Sequence, residues 1–147
     1  MIKGFTLIEL LIVIGITLVL AGAVSPIYGN LQVSAQLNEE SSQIVQAIRL
    51  AKEKSSARVN NSQYGVYFQA NSYTLYQGSA YALRNSSYDR VTTLSDSVTI
   101  TSTLTGNEIN FSKGLGEPSN TGTVTITHSV SGSRVIDINS LGKVEEN

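Results

Sequence analysis

The hydrophobic and polar positions fall into three successive regimes. Residues 5–24 are almost wholly apolar, with one acid, Glu9, inside the run. After it the apolar positions space out. Leu31, Leu37, Ile44, Ile48 and Ala51, with Val45 and Ala47 beside them, recur near the helical period. Asn38, Glu39, Glu40, Gln43, Gln46 and Lys52 supply an opposite, polar side, so this stretch predicts an amphipathic helix with one face packed on something. From Gln63 the period becomes two. Tyr64-Gly65-Val66-Tyr67-Phe68 and Ser72-Tyr73-Thr74-Leu75-Tyr76 predict two strands joined around Ala70-Asn71.

Further short strands are expected at 90–94, 97–101, 108–111, 122–127 and 134–139. Loops are expected at 81–89 and 114–122, a hairpin closure at 129–133, and a turn with a last short pairing at 141–144. Gly22, Pro26 and Gly29 interrupt helix propensity and predict a kink or softened stretch at 22–29. Asn60-Asn61-Ser62 is the expected stop. The fold class is therefore α+β. A long N-terminal helix, transmembrane in its first half and amphipathic in its second, packs on an antiparallel outer domain of one sheet or two, with about seven strands.

A chain of 147 residues is one domain's worth. There is no cysteine, which removes disulfides, thiolate metal sites, a cysteine nucleophile and a lipoprotein anchor. Ten basic residues face eleven acidic ones, and without Lys3 and Glu9 the balance is nine against ten. A near-neutral outer domain offers no strong field for nucleic acid or anionic lipid.

Chemistry-bearing constellations are absent from the sequence. His128 is the only histidine, is expected on the surface or in a turn, and makes no metal site. Asp137 and Asn139 are two oxygens, too few for calcium. There is no Gly-x-Ser-x-Gly elbow, and Gly114-Leu115-Gly116 lacks the frame of a dinucleotide fingerprint. Asn60, Asn85 and Asn110 fit glycosylation sequons, which are common by chance in an Asn/Ser-rich chain. No catalytic residue, cofactor or metal is expected, and the protein is not read as an enzyme. Arg49, Lys52, Lys54 and Arg58 gather at the end of the amphipathic helix, where the negative end of the helix dipole favours them; a basic patch for DNA or a partner is the sharper alternative. The strand tyrosines Tyr64, Tyr67, Tyr73 and Tyr76 are expected to pack on the sheet; a stacking platform for single strands is the sharper alternative.

The apolar run is the most informative feature. As a helix, residues 5–24 span about 30 Å, one hydrocarbon core. A carboxylate inside such a helix costs about 2.5–3.5 kcal/mol on insertion scales, so Glu9 needs a partner or a function. A secretory signal, with Ala21-Gly22-Ala23 imitating a cleavage site, fits neither the length nor the charge. A plain anchor helix explains the length but not the order Lys3-Gly4-Phe5-Thr6-Leu7-Ile8-Glu9.

That order resembles the processing site of type IV prepilins and type II secretion pseudopilins. The resemblance implies cleavage by the prepilin peptidase after Gly4, methylation of the new amine on Phe5, and an assembly role for Glu9 and Phe5. Pro26 falls where many family members carry a proline in this helix. Ile109-Asn110-Phe111-Ser112-Lys113-Gly114, Thr123-Val124-Thr125-Ile126, Arg134-Val135-Ile136-Asp137-Ile138-Asn139 and Leu141-Gly142-Lys143-Val144 are similar to the outer domain of H-type minor pseudopilins and related minor pilins.

The organisation implied is a leader at 1–4, a transmembrane and assembly helix at 5–24, an amphipathic continuation at 25–59 and a β-rich outer domain at 60–147. The implied partners are other pilin or pseudopilin subunits, the prepilin peptidase and methyltransferase, and an inner-membrane assembly platform, with a separate cytoplasmic ATPase doing the work. The implied location is a single pass of the inner membrane, then a periplasmic or cell-surface filament. The alternative is a minor pilin that binds DNA in natural transformation. The acidic tail Glu145-Glu146 and the neutral outer domain argue against it.

Overall fold

The protein is described as a computed structural model covering the backbone of residues 4–130 and 132–146, and their side chains except those of 23–31. Residues 1–3 of the expected leader at 1–4, and the side chain of Pro26, therefore lie outside the described residues.

One helix, α1 (Leu7–Ser56), runs for 50 residues through 22–29 without a break in its helical assignment. It ends at Ala57, whose N–H donates to Glu53 O at 2.8 Å. Arg58, Asn60 and Asn61 then take positive φ, which turns the chain sharply into the outer domain.

Eight strands follow: β1 (Tyr64–Gln69), β2 (Ser72–Gln77), β3 (Arg90–Thr93), β4 (Val98–Ser102), β5 (Glu108–Phe111), β6 (Gly122–His128), β7 (Gly132–Ile138) and β8 (Val144–Glu146). They form two four-stranded antiparallel sheets, ordered β3-β2-β1-β5 and β4-β6-β7-β8. The turn at Ala70-Asn71 ties the sheets together: Asn71 O accepts from Leu94 N at 2.9 Å, extending the β2–β3 pairing, and Ala70 O accepts from Ile100 N of the second sheet at 2.8 Å. Period-two patterning thus placed the strands well, with one more strand than expected, and the choice between one sheet and two, left open by the sequence, falls to two.

The second half of α1 lies against both sheets. Leu37, Ile44, Ile48 and Ala51 are buried, as their spacing predicts, and they meet Val66, Phe68, Leu75, Ile109 and Phe111 from one sheet and Val124, Ile126, Ile136 and Ile138 from the other. Each such large side chain contributes about 1.5–3 kcal/mol on burial. Glu40 departs from its expected polar side. It is buried, and its Oε1 accepts from Ser95 N at 3.2 Å and from the Ser95 hydroxyl. Position explains this: residue 40 lies three after Leu37 and four before Ile44, on the same helix face.

The outer face of the first sheet is covered by the connection between β2 and β3. Glu108 is the anchor: Tyr76 Oη donates to Glu108 Oε2 at 2.6 Å, and Tyr81 N donates to the same oxygen at 2.7 Å. Gly65 is required beneath, because a Cβ there would sit 2.6 Å from the Tyr76 ring and from Ile109 O. The Tyr81 ring stacks on Tyr67 with centroids 3.9 Å apart, and the Arg84 guanidinium lies 3.7 Å from the Tyr81 centroid. Asp89 holds Arg84 there at 2.7 Å.

Candidate processing and assembly site

The N-terminal end of α1 is built by a reciprocal cap. Thr6 is extended at the N-cap, and its Oγ1 accepts from Glu9 N at 3.3 Å. Glu9 Oε2 in turn accepts from Thr6 N at 3.0 Å and from Thr6 Oγ1 at 2.8 Å. The order Thr6-x-x-Glu9 is a capping-box signature. The sequence reading missed it, although it was present in the residues already singled out. Glu9 therefore starts the helix whatever else it does, and satisfies a backbone donor that would otherwise lie bare at the edge of an apolar run.

Gly4 and Phe5 precede the cap, outside the helix. Among the described residues nothing lies within 4 Å of the Cβ position of Gly4, and Phe5 is 89 % exposed. The structure brings Gly4, Phe5, Thr6 and Glu9 together at one tip; Pro26 stands far along the same helix.

Behind this tip Leu7, Ile8, Leu10, Leu11, Ile12 and further apolar residues to Leu20 are all exposed. The hydroxyl of Thr17 is satisfied within the helix, donating to Val13 O at 2.5 Å, so it needs no water. Among the described residues no helix is long and apolar enough to cross a membrane. The apolar run of the sequence extends to residue 24, past the last described side chain of this half at Gly22.

The remaining chemistry-bearing residues are spent on the fold. Lys52 Nζ donates to Leu141 O at 2.8 Å and Gly142 O at 3.1 Å, and Arg49 Nη2 to Val144 O at 3.4 Å. The basic cluster thus clamps the C-terminal segment to α1, a role beyond the helix dipole to which sequence reasoning assigned it. Lys54 lies over the Tyr64 ring. Both faces of Tyr81 are occupied, by Tyr67 and Arg84, and Tyr64 and Tyr73 are buried in the core.

His128 is buried rather than on the surface, because its Nδ1 accepts from Val130 N at 3.1 Å and closes the β6–β7 hairpin. Asn110 is also buried, donating to Gly78 O at 2.7 Å, so its sequon is internal. Asn139 Oδ1 accepts from Leu141 N and Lys143 N and shapes that turn. Among the described residues no three acids, histidines or cysteines gather as metal ligands.

A fifty-residue helix whose first half is bare and whose second half is the spine of a two-sheet domain defines a pilin-like fold. Residues 1–25 match the family described as the prokaryotic N-terminal methylation motif. The fold is similar to that of the minor pseudopilin EpsH from the type 2 secretion system of Vibrio cholerae, with a TM-score of 0.59 at 15% identity over 76% of this chain and 96% of that one. No curated protein matches the sequence. Motif and fold together support a type IV pilin or pseudopilin.

Proposed function

We propose that the chain is a filament subunit, cut after Gly4 by a prepilin peptidase, methylated on the Phe5 amine, and assembled through the first half of α1. The observation that carries this reading is the bare apolar half-helix, Leu7 to Leu20, with its open Gly4–Phe5 junction. Such a surface is stable only in lipid or among other helices. The subunit waits in the inner membrane and leaves it for a periplasmic or surface filament.

Cleavage creates a cationic amine one residue before the Thr6–Glu9 cap. Within one subunit Glu9 is engaged by its own Thr6. In a filament the Phe5 amine of a neighbour is the cation that matches it, and breaking such a buried pair costs about 3–5 kcal/mol. Pro26 has no N–H to give to the helix, which leaves its stretch easier to unwind during packing. The subunit performs no catalysis. An assembly platform and a cytoplasmic ATPase supply the work.

Intact mass and the N-terminal peptide of the native protein test the processing. The expected chain starts at N-methylated Phe5; one starting at Met1, or after Ala23, overturns the assignment. Glu9→Ala tests assembly: the variant is processed but enters filaments poorly, and normal filaments would remove Glu9 from the mechanism.

A further inference from the structure

The first sheet is left open along β3, beside α1. The Leu94 N–H points inward, donating to Asn71 O. Alternate residues of a strand turn their backbone groups to the same side. Arg90 and Thr92 therefore face β2, opposite Leu75 and Tyr73 in the register, while Val91 and Thr93 turn their N–H and C=O groups outward. Among the described residues no strand pairs with that edge, and no hydrogen bond from elsewhere reaches these groups.

Between this edge and α1 runs a groove of about 360 Å³. Tyr73 and Leu75 line it from β2, Arg90 and Thr92 from β3, and Gln43, Gln46, Ala47 and Leu50 from the helix, so its helix wall is part amide and part apolar. Ala47 and Leu50 are only partly buried, packed against the margin of the core. Among the described residues the Arg90 side chain meets no hydrogen-bond or ion-pair partner, whereas Arg84 is paired with Asp89 and Arg134 lies 4.0 Å from Glu146.

We propose that this groove receives an extended peptide segment of a partner protein, added to β3 as a fifth strand. Its backbone pairs with Val91 and Thr93. Its side chains at alternate positions enter the groove, a carboxylate meeting Arg90 and an apolar side chain, two residues along, lying between Ala47, Leu50, Tyr73 and Leu75. Open backbone donors supply affinity, and the groove supplies selection of the side chains that point into it. A free arginine fork selects the carboxylate. The inference is independent of how the N-terminus is processed.

The test uses the full chain in detergent and a random ten-residue peptide library displayed on phage, followed by synthetic copies of the enriched sequences. Enriched peptides are expected to share an acid and a large apolar residue at alternate positions. Their affinity should fall at least tenfold on Arg90→Glu, and at least tenfold on Val91→Pro. Proline at position 91 removes only an outward N–H, so the β2–β3 ladder survives and an unchanged circular dichroism spectrum verifies the fold. Leu115→Ser, at an exposed leucine elsewhere, should leave binding unchanged. No enrichment over detergent alone, or binding that survives Val91→Pro, overturns the proposal. Self-association of the full chain that Val91→Pro abolishes also overturns it, by making a second copy the occupant.

Discussion

The two halves of α1 are one continuous helix with opposite fates. In the first, Ile12 is 53 % exposed among neighbours that touch nothing; in the second, Ile48 is 0 % exposed between two sheets. Residues 7–31 carry eleven isoleucines and leucines and residues 32–56 carry four, so the halves already differ in composition. What separates them is the presence of polar residues at the intervening positions. The second half has them, and so has one apolar face to bury and one polar face to leave in water. Up to Leu20 the first half has only Glu9 and Thr17, both bonded within the helix, and so it has no polar face to leave in water. The comparison teaches that the second half of α1 is part of the outer domain's core, while the apolar surface of the first half is left uncovered by the described residues.

The same substitution in the two halves should therefore have opposite readouts. Ile48→Ala is expected to cost the outer domain about 2–5 kcal/mol, because a fully buried isoleucine leaves a cavity between α1 and the sheets. Ile12→Ala is expected to change unfolding of the detergent-solubilised subunit by under about 0.5 kcal/mol, as an exposed substitution does. Chemical denaturation followed by circular dichroism measures both. Equal losses would mean that the two halves are not energetically distinct.

A smaller effect asks how far the outer domain depends on contacts away from α1. Glu108 receives both Tyr76 and the Tyr81 backbone. Glu108→Ala leaves two donors without their acceptor and should cost about 1–3 kcal/mol, with faster proteolysis near residues 78–89. Intact resistance there would show that the Tyr67–Tyr81–Arg84 stack holds the segment without it. Lys52→Met, which keeps the stem and removes the ammonium, should cost about 0.5–1.5 kcal/mol and speed hydrogen exchange at Leu141 and Gly142. It leaves the first half of α1 untouched.

How much of this was legible in the sequence follows the same division. The N-terminal tip was read from seven consecutive residues, since charge, glycine, acid and apolar run are all local. The core face of α1 was legible at Leu37, Ile44, Ile48 and Ala51, where position and residue type agree. It failed at Glu40, where position pointed inward and chemistry outward, and Ser95 across the fold decided the matter. The strands were legible because alternation is local. The pairing of sheets, the Glu108 anchor and the Lys52 clamp were not, because their partners lie 27 to 90 residues apart and leave no local signature. His128 was misplaced for a related reason: a lone polar residue at a strand end looks exposed until a turn amide is found to need it.

The smallest expected effect concerns pH and isolates the outer domain from the rest. Burial, and then the hydrogen bond to Glu108, raise the Tyr76 phenol above its ordinary value of 10.0. Below pH about 10 the phenol is protonated in both folded and unfolded chains, so its contribution to stability is fully present. As pH rises past the unfolded value, the unfolded chain releases a proton that the folded chain keeps, and unfolding gains. Stability should therefore fall above pH about 10, by at most about 1.4 kcal/mol per pH unit from this one group. Tyr76→Phe starts from a lower stability, having lost its bond to Glu108, but should lose less between pH 10 and 11 than the parent does. Urea midpoints of both proteins across pH 9 to 11 measure the difference in slope. Parallel slopes would mean that Tyr76 ionises as readily in the fold as outside it, and that the loop over Gly65 opens to water.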